Sequence, residues 1–208
     1  MRLVAIAVGV LAQAVAWRAV ANGRASVWTL MSPVLAACGV LAVLVRPPVA
    51  SGTVGMVPAT LAGLALGVAL YFGTLAFVAL ASGVPVFRRH VEHEYEGLTR
   101  SRLPAVLAMA LLLAVPGEEL FWRGLVQPRL RWSMPTLSGP ALAWLGYVAV
   151  NVASGSLAFI AGAAVGGIVW GGLALWTHGV LASLVCHLAW NVLMLLRPPA
   201  PAREMMGT

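Results

Sequence analysis

Glu118, Glu119 and Arg123 fall within six residues of one another in the run Pro116-Gly-Glu-Glu-Leu-Phe-Trp-Arg-Gly124, inside a chain that has little other charge. Apolar stretches, Leu103–Val115 and Leu145–Val150, lie on either side. An ionisable group in hydrocarbon costs about 3 kcal/mol on insertion scales, so such groups mark function by default. On a helix Glu119 and Arg123 share a face, acid before base, and the guanidinium can neutralise and fix that carboxylate. Glu118 lies about 100° further round and is free to point elsewhere. A partly desolvated carboxylate of this kind suits a general base working near neutral pH. Pro116-Gly117 just before it is expected to kink the helix and loosen its hydrogen-bond ladder.

A second polar pair, His187 and Asn191, is four apart in the apolar run Leu181–Leu196, so both share one helical face. Asn151 ends another apolar run, in Gly146-Tyr-Val-Ala-Val-Asn151; alone it would be a helix cap or an interhelical contact. His90 and His93, beside Glu92, Glu94 and Glu96, have a spacing that could hold a metal, but sit in a charged stretch better read as a solvated helix. Cys38 and Cys186 lie in apolar stretches and are expected to be buried small hydrophobes rather than a disulfide or metal pair.

These groups must be positioned by a membrane protein. Hydrophobic residues make up 61% of the chain, charged residues 9%, and mean hydropathy is +0.94, whereas soluble domains carry about 25% charge. Apolar stretches of bilayer-spanning length recur and alternating strands do not, which predicts an all-α, polytopic transmembrane helix bundle and argues against a β-barrel. About seven spans (six to eight) are expected: Leu3–Val20, Val27–Val45, Val57–Gly83, Leu103–Val126, Leu137–Ala153, Leu157–Leu175 and Gly179–Leu196. The first is read as a retained helix rather than a cleaved signal. The chain is expected to form a single membrane domain over 1–208. Within it lie a polar loop at 87–102, a four-helix core at 103–196 and a loose, Pro-rich tail at 197–208.

All 13 basic residues are Arg, which with the abundant Ala, Val, Gly and Pro suggests a GC-rich bacterial genome. The net charge of +7 does not call for nucleic acid, because the arginines sit in short loops. Arg2, Arg46, Arg129 and Arg131 fall to one face. Arg18, Arg24, Arg88, Arg89, Arg100, Arg102, Arg197 and Arg203 fall to the other, which the positive-inside rule makes cytoplasmic. Trp17, Trp28, Trp132 and Trp176 fit an interfacial belt. The sixth span, with Gly162, Gly166, Gly167, Gly171 and Gly172, reads as a tightly packed central helix.

Glu118-Glu119-x-x-x-Arg123 resembles the first motif of the CAAX protease and bacteriocin-processing (CPBP, or Abi) family of intramembrane proteases, and His187-x-x-x-Asn191 its last. The middle motif, an aromatic followed four residues later by His, is matched by Tyr147-x-x-x-Asn151, with Asn in the His position. The Gly-rich span and the turn Trp176-Thr-His178-Gly fit as well. The resemblance covers about Leu103–Leu196.

It implies a fold, an activity and roles. Glu118 would be the base that activates water for attack on a peptide carbonyl, and the Asn151 position would help hold that water. His187 and Asn191 would donate to the tetrahedral oxyanion, at about 3–4 kcal/mol per donor in other enzymes, while Glu119 and Arg123 would orient the first motif. The family has been described both as metal-dependent and as glutamic. One Glu, one His and amides make a poor zinc set, so the glutamic reading, with no metal and no cofactor, is favoured. The expected substrate is a membrane-associated peptide or protein: a prenylated tail, a peptide precursor or a C-terminal anchor tag, the first less expected in a bacterium. The expected location is the bacterial cytoplasmic (inner) membrane, and nucleic acid is not an expected partner. Asn151 supports the alternative of a degenerate scaffold or immunity protein of the same fold. A proton-coupled transporter would require internal repeats or paired broken helices, and the sequence shows no convincing repeat.

Overall fold

The computed structural model describes every residue except Gly97, Arg100, Ser101, Pro135, Gly207 and Thr208. Among the described residues the chain is helical and without strands. The helices are α1 (Arg2–Ala21), α2 (Ser32–Val45, entered through a wider π turn at Val27–Met31), α3 (Met56–Ala81) and α4 (Pro85–Glu94). They continue with α5 (Leu103–Ser133), α6 (Ser138–Val152), α7 (Leu157–Thr177), α8 (Leu181–Leu196) and α9 (Ala200–Met206).

Six segments, all but α4 and α6 with α8 and α9 taken together, are long and apolar enough to cross a membrane. The 15-residue α6 is short of the roughly 20 residues a full span requires and completes a bundle of about seven, as expected. Leu3, Val4, Val8, Leu11 and Val15 on α1, with Leu61, Phe72 and Leu80 on α3, are exposed. In water such a surface would be an aggregation liability; in a bilayer it is the lipid-facing side.

Helix α5 carries Pro104 in its first turn and two interior prolines, Pro116 and Pro128. An interior proline lacks its N–H and crowds the carbonyl four residues back. A π turn precedes each interior proline, at Ala110–Ala114 and at Trp122–Val126, widening the helix where the ring needs room. Pro128 leaves the Gly124 carbonyl without its helical donor, and Arg46 Nη1 donates to it instead, at 2.9 Å. The expected disturbance at Pro116-Gly117 is thus a widened turn that opens directly into Glu118.

Behind Glu118, α5 lies against α2 at two glycines. A Cβ on Gly39 would stand 2.6 Å from the Gly117 Cα, and one on Gly117 would run into the Leu35 backbone. α3 packs along α8. A buried amide ties α1 to α5, with the Trp122 indole donating to Gln13 Oε1 at 3.0 Å, the kind of polar contact that joins helices in lipid.

The ends of the bundle sort the arginines as the loop count requires. Burial, and after it the charge of nearby Arg2, lowers the pKa of Arg46. Arg131 bonds His178 at 2.8 Å at the same end, where His178 takes a left-handed conformation (φ 50°) in its turn. At the opposite end Arg88 bonds Glu204 at 2.7 Å; Arg100, part of the expected count, lies outside the described residues. The tail differs from expectation. Pro201 stands in the first turn of a helix, α9, whose Ala202 is buried and whose Glu204 holds Arg88 on α4; proline there is pre-organised for helix and loses no bond. Trp17 also departs from expectation: it is buried against Phe159 at 4.7 Å between ring centroids rather than placed in an interfacial belt.

Candidate active site

The two adjacent glutamates part company. Glu119 is fully buried, and its Oε1 accepts from Arg123 Nη1 at 3.1 Å and from His187 Nδ1 at 2.9 Å. The four-residue spacing of Glu119 and Arg123 sets the first contact; the second brings α8 against α5. The Arg123 guanidinium lies 4.6 Å from the Tyr147 ring centroid and 5.4 Å from that of Trp170, so its charge is covered by a carboxylate and two aromatic faces. Removing either ion would leave the other buried and uncompensated, at about 3–5 kcal/mol.

Glu118, one residue earlier, is only partly buried and faces a cavity of about 390 Å3. Asn151, His187 and Asn191 line the same cavity, as does Tyr147, whose hydroxyl is a close neighbour of the Glu118 carboxyl. The structure therefore brings together Glu118, Asn151, His187 and Asn191, with Glu119 and Arg123 in the wall behind them. The size is that of a small-ligand or peptide-segment site.

Hydrogen bonds fix what each group can offer. An ionised carboxylate only accepts, so His187 Nδ1 carries the proton towards Glu119. Nε2 is then the free nitrogen, an acceptor in the neutral ring and a donor in the imidazolium. The imidazole is stacked on Trp170, with centroids 3.6 Å apart and planes within 15°. Asn151 Nδ2 donates to its own helix, at Tyr147 O, 2.9 Å away, and Asn191 Nδ2 to His187 O at 3.4 Å. Each amide keeps a second N–H and its carbonyl oxygen.

Two residues of the site were not foreseen. Trp170 is 1% exposed and seats His187; its signal was a lone large ring among glycines, Gly166-Gly-Ile-Val-Trp170-Gly-Gly, far from either end of its helix. Glu94, expected on a solvated surface helix, lines the cavity with Phe87, Val91 and Tyr95. Burial pushes its carboxyl up to about 7, against the opposing pull of the Ser156 hydroxyl and His93. His90 and His93 are used elsewhere: His90 Nδ1 accepts from Leu157 N at 3.1 Å, and His93 Nδ1 contacts Glu96 at 2.8 Å. Among the described residues no three His, Cys, Asp or Glu side chains are grouped so as to hold a metal ion. Cys38 and Cys186 are buried and free.

Residues 100–193 match the family model described as type II CAAX prenyl endopeptidase Rce1-like. The match covers 94 of the 208 residues, somewhat under half of the chain. The matched stretch holds Glu118-Glu119-x-x-x-Arg123, His187-x-x-x-Asn191 and, between them, Tyr147-x-x-x-Asn151 with its Asn in the His position. The matched family is one of proteases, and six segments of this chain are long and apolar enough to cross a membrane, as in a multi-pass membrane protein. Comparison with curated proteins and with solved structures returned no match.

Proposed function

We propose that this protein is a membrane-embedded endopeptidase in which Glu118 is the general base. The observation that carries the reading is the division of labour between neighbours: Glu119 is consumed by Arg123 and His187, whereas Glu118 opens onto the cavity that Asn151, His187 and Asn191 also line. Glu118 takes a proton from a water held with the help of the Asn151 amide. The hydroxide adds to the scissile carbonyl carbon. The oxyanion so formed accepts from the free Asn191 N–H and from His187 Nε2–H, which requires the ring in its imidazolium form with Glu119 as counter-ion. Glu118 then returns its proton to the departing amine, and the C–N bond breaks. The cavity is lined mainly by apolar side chains such as Leu70, Phe77, Phe159 and Trp190, which suits a peptide already associated with the bilayer.

The cavity runs from Glu118, midway along α5, past Asn151 and Asn191 to Glu94 and Tyr95 at the end of the bundle that carries α4 and α9. The arginine count makes that end cytoplasmic, so cleavage is expected on the cytoplasmic side of a bacterial inner membrane.

The test is cleavage of co-reconstituted, membrane-tethered peptides, including C-terminal anchor tags, by wild type and Glu118→Gln, with and without chelator. Cleavage lost in Glu118→Gln and indifferent to chelator supports the reading. Equal cleavage by both proteins removes Glu118 as base, and loss with chelator returns a metal to the mechanism.

One observation favours a second reading. Asn151 cannot relay a proton, and one of its N–H groups is spent on Tyr147 O. A non-catalytic scaffold of the same fold would tolerate both features.

A further inference from the structure

Helix α4 turns one face inward. Phe87, Val91, Glu94 and Tyr95, at helical spacing, line the end of the cavity, while Arg88, Arg89 and His93 are exposed. The other acids of this segment have cationic or imidazole partners outside the cavity: Glu92 holds Arg88 at 2.8 Å, and Glu96 meets His93 at 2.8 Å. Glu94 has the Ser156 hydroxyl and, at a distance, His93, which Glu96 already engages. A carboxylate in such surroundings is short of a counter-ion.

Among the described lining residues of the cavity are two carboxyls, Glu118 and Glu94, one imidazole and no arginine. Arg123 lies behind the wall, committed to Glu119. In a chain of net charge +7, the polar end of this cavity thus carries a carboxyl with no arginine among the described lining residues, while His187 and Arg123 stand with Glu118 and Glu119 at the other.

We propose that Glu94 is a substrate-selecting residue, which receives the basic side chain, Lys or Arg, of a peptide whose scissile bond is presented to Glu118. The proposal rests on the peptidase reading for its purpose but not for its test. A charge-assisted hydrogen bond formed away from bulk water discriminates strongly against a neutral isostere, and an acidic residue at the same peptide position is repelled. The raised carboxyl of Glu94 is in keeping with this, since a bound cation supplies the charge that the empty pocket lacks.

Binding tests this without any need for cleavage. Glu118→Gln protein in nanodiscs of zwitterionic phosphatidylcholine is titrated with lipid-anchored octapeptides carrying a single Lys, Gln or Glu, placed in turn at each position. At one position the Lys peptide is expected to bind at least about tenfold more tightly than the Gln peptide, with the Glu peptide weakest. Adding Glu94→Gln should abolish the difference, and Glu94→Lys should invert it in favour of Glu. Glu94→Gln is nearly isosteric and decides the matter if the charge reversal fails to fold. A Lys preference that survives Glu94→Gln, the absence of any preference, or no binding by any peptide overturns the proposal. If the selected Lys peptides are then offered to the wild-type protein and none is cut, the peptidase reading is overturned and the Glu94 site is left standing.

Discussion

The His187 imidazole lies flat on the Trp170 indole, 3.6 Å between centroids, while its Nδ1 is held by Glu119 at 2.9 Å. Face and edge are both fixed, so the free nitrogen has one direction in which to act. Trp170→Ala removes the face. It is expected to cost about 3–5 kcal/mol of stability and to lower kcat more than it raises KM. Trp170→Phe keeps a ring in place and should recover most of both. Thermal unfolding in detergent and steady-state cleavage report the two effects separately.

Arg123 is expected to resist conservative replacement. Arg123→Ala strands the buried Glu119 charge and should destabilise the protein by about 3–5 kcal/mol. Arg123→Lys keeps the charge but not the plane that lies over Tyr147 and Trp170, and lysine is a poor substitute at a stacked site. Both variants should show lowered unfolding midpoints, and full recovery in Arg123→Lys would contradict the stacked arrangement.

Asn151 separates the two readings of the site. If Glu118 alone moves the proton, Asn151→His should change kcat by less than about tenfold, and Asn151→Leu, which cannot hold water, should lower it by more. If a histidine is needed as a second acid–base group, Asn151→His should raise kcat by about 10²-fold or more, the scale of a general acid–base contribution. Cleavage rates of the three proteins decide.

Gly117→Ala should be far more damaging than one methyl group suggests. The added Cβ has no room against the Leu35 backbone, so α2 must move away from the turn that carries Glu118. Overpacking typically costs about 1–3 kcal/mol, and rigid backbone on the far side puts this site at the upper end. Activity is expected to fall with it, and a variant with unchanged unfolding and unchanged cleavage would show that the helices part freely.

Glu94 makes a signed prediction about pH. Its folded value of about 7 lies above the ordinary 4.5, so between these limits the folded protein holds a proton that the unfolded chain has released. Stability from this group is complete below about 4.5 and declines as pH rises through 7. Arg88 and Glu92 are bonded to each other, which leaves His93 and Ser156 as the groups that oppose the shift. The fall in unfolding midpoint between pH 5 and pH 8 should be smaller in Glu94→Gln than in wild type; equal falls would mean that Glu94 is better hydrated than its setting implies.

Much of the site could be read from spacing alone. Glu119 and Arg123 pair because four residues on a helix place them together, and Glu118 points away for the same reason. His187 and Asn191 share a face by the same rule. What spacing could not supply was partners between helices. That His187 would hand its Nδ1 to Glu119 depends on α8 packing against α5, and the stacking on Trp170 depends on α7 as well. The polar segment misled because its charge average concealed a face: Arg88, Glu92 and His93 look outward, while Phe87, Val91 and Glu94 look in. The tail was read as loose from its prolines, although Pro201 begins a helix rather than breaking one.

The wall of the cavity is drawn from both halves of the chain. Trp17, Ser32, Leu70, Thr74 and Phe87 all precede residue 100, the first residue of the family match, yet they enclose the space into which Glu118 opens. The stretch that matches the family model therefore holds the motif side chains without their vessel. Excised as 100–193, it would keep every motif and lose one side of its chamber, together with the packing of α3 on α8 and of α2 on α5. The motif-free helices at the front therefore give the cavity much of its shape, and side chains such as Leu70 and Phe87 bound what it can admit without belonging to any motif.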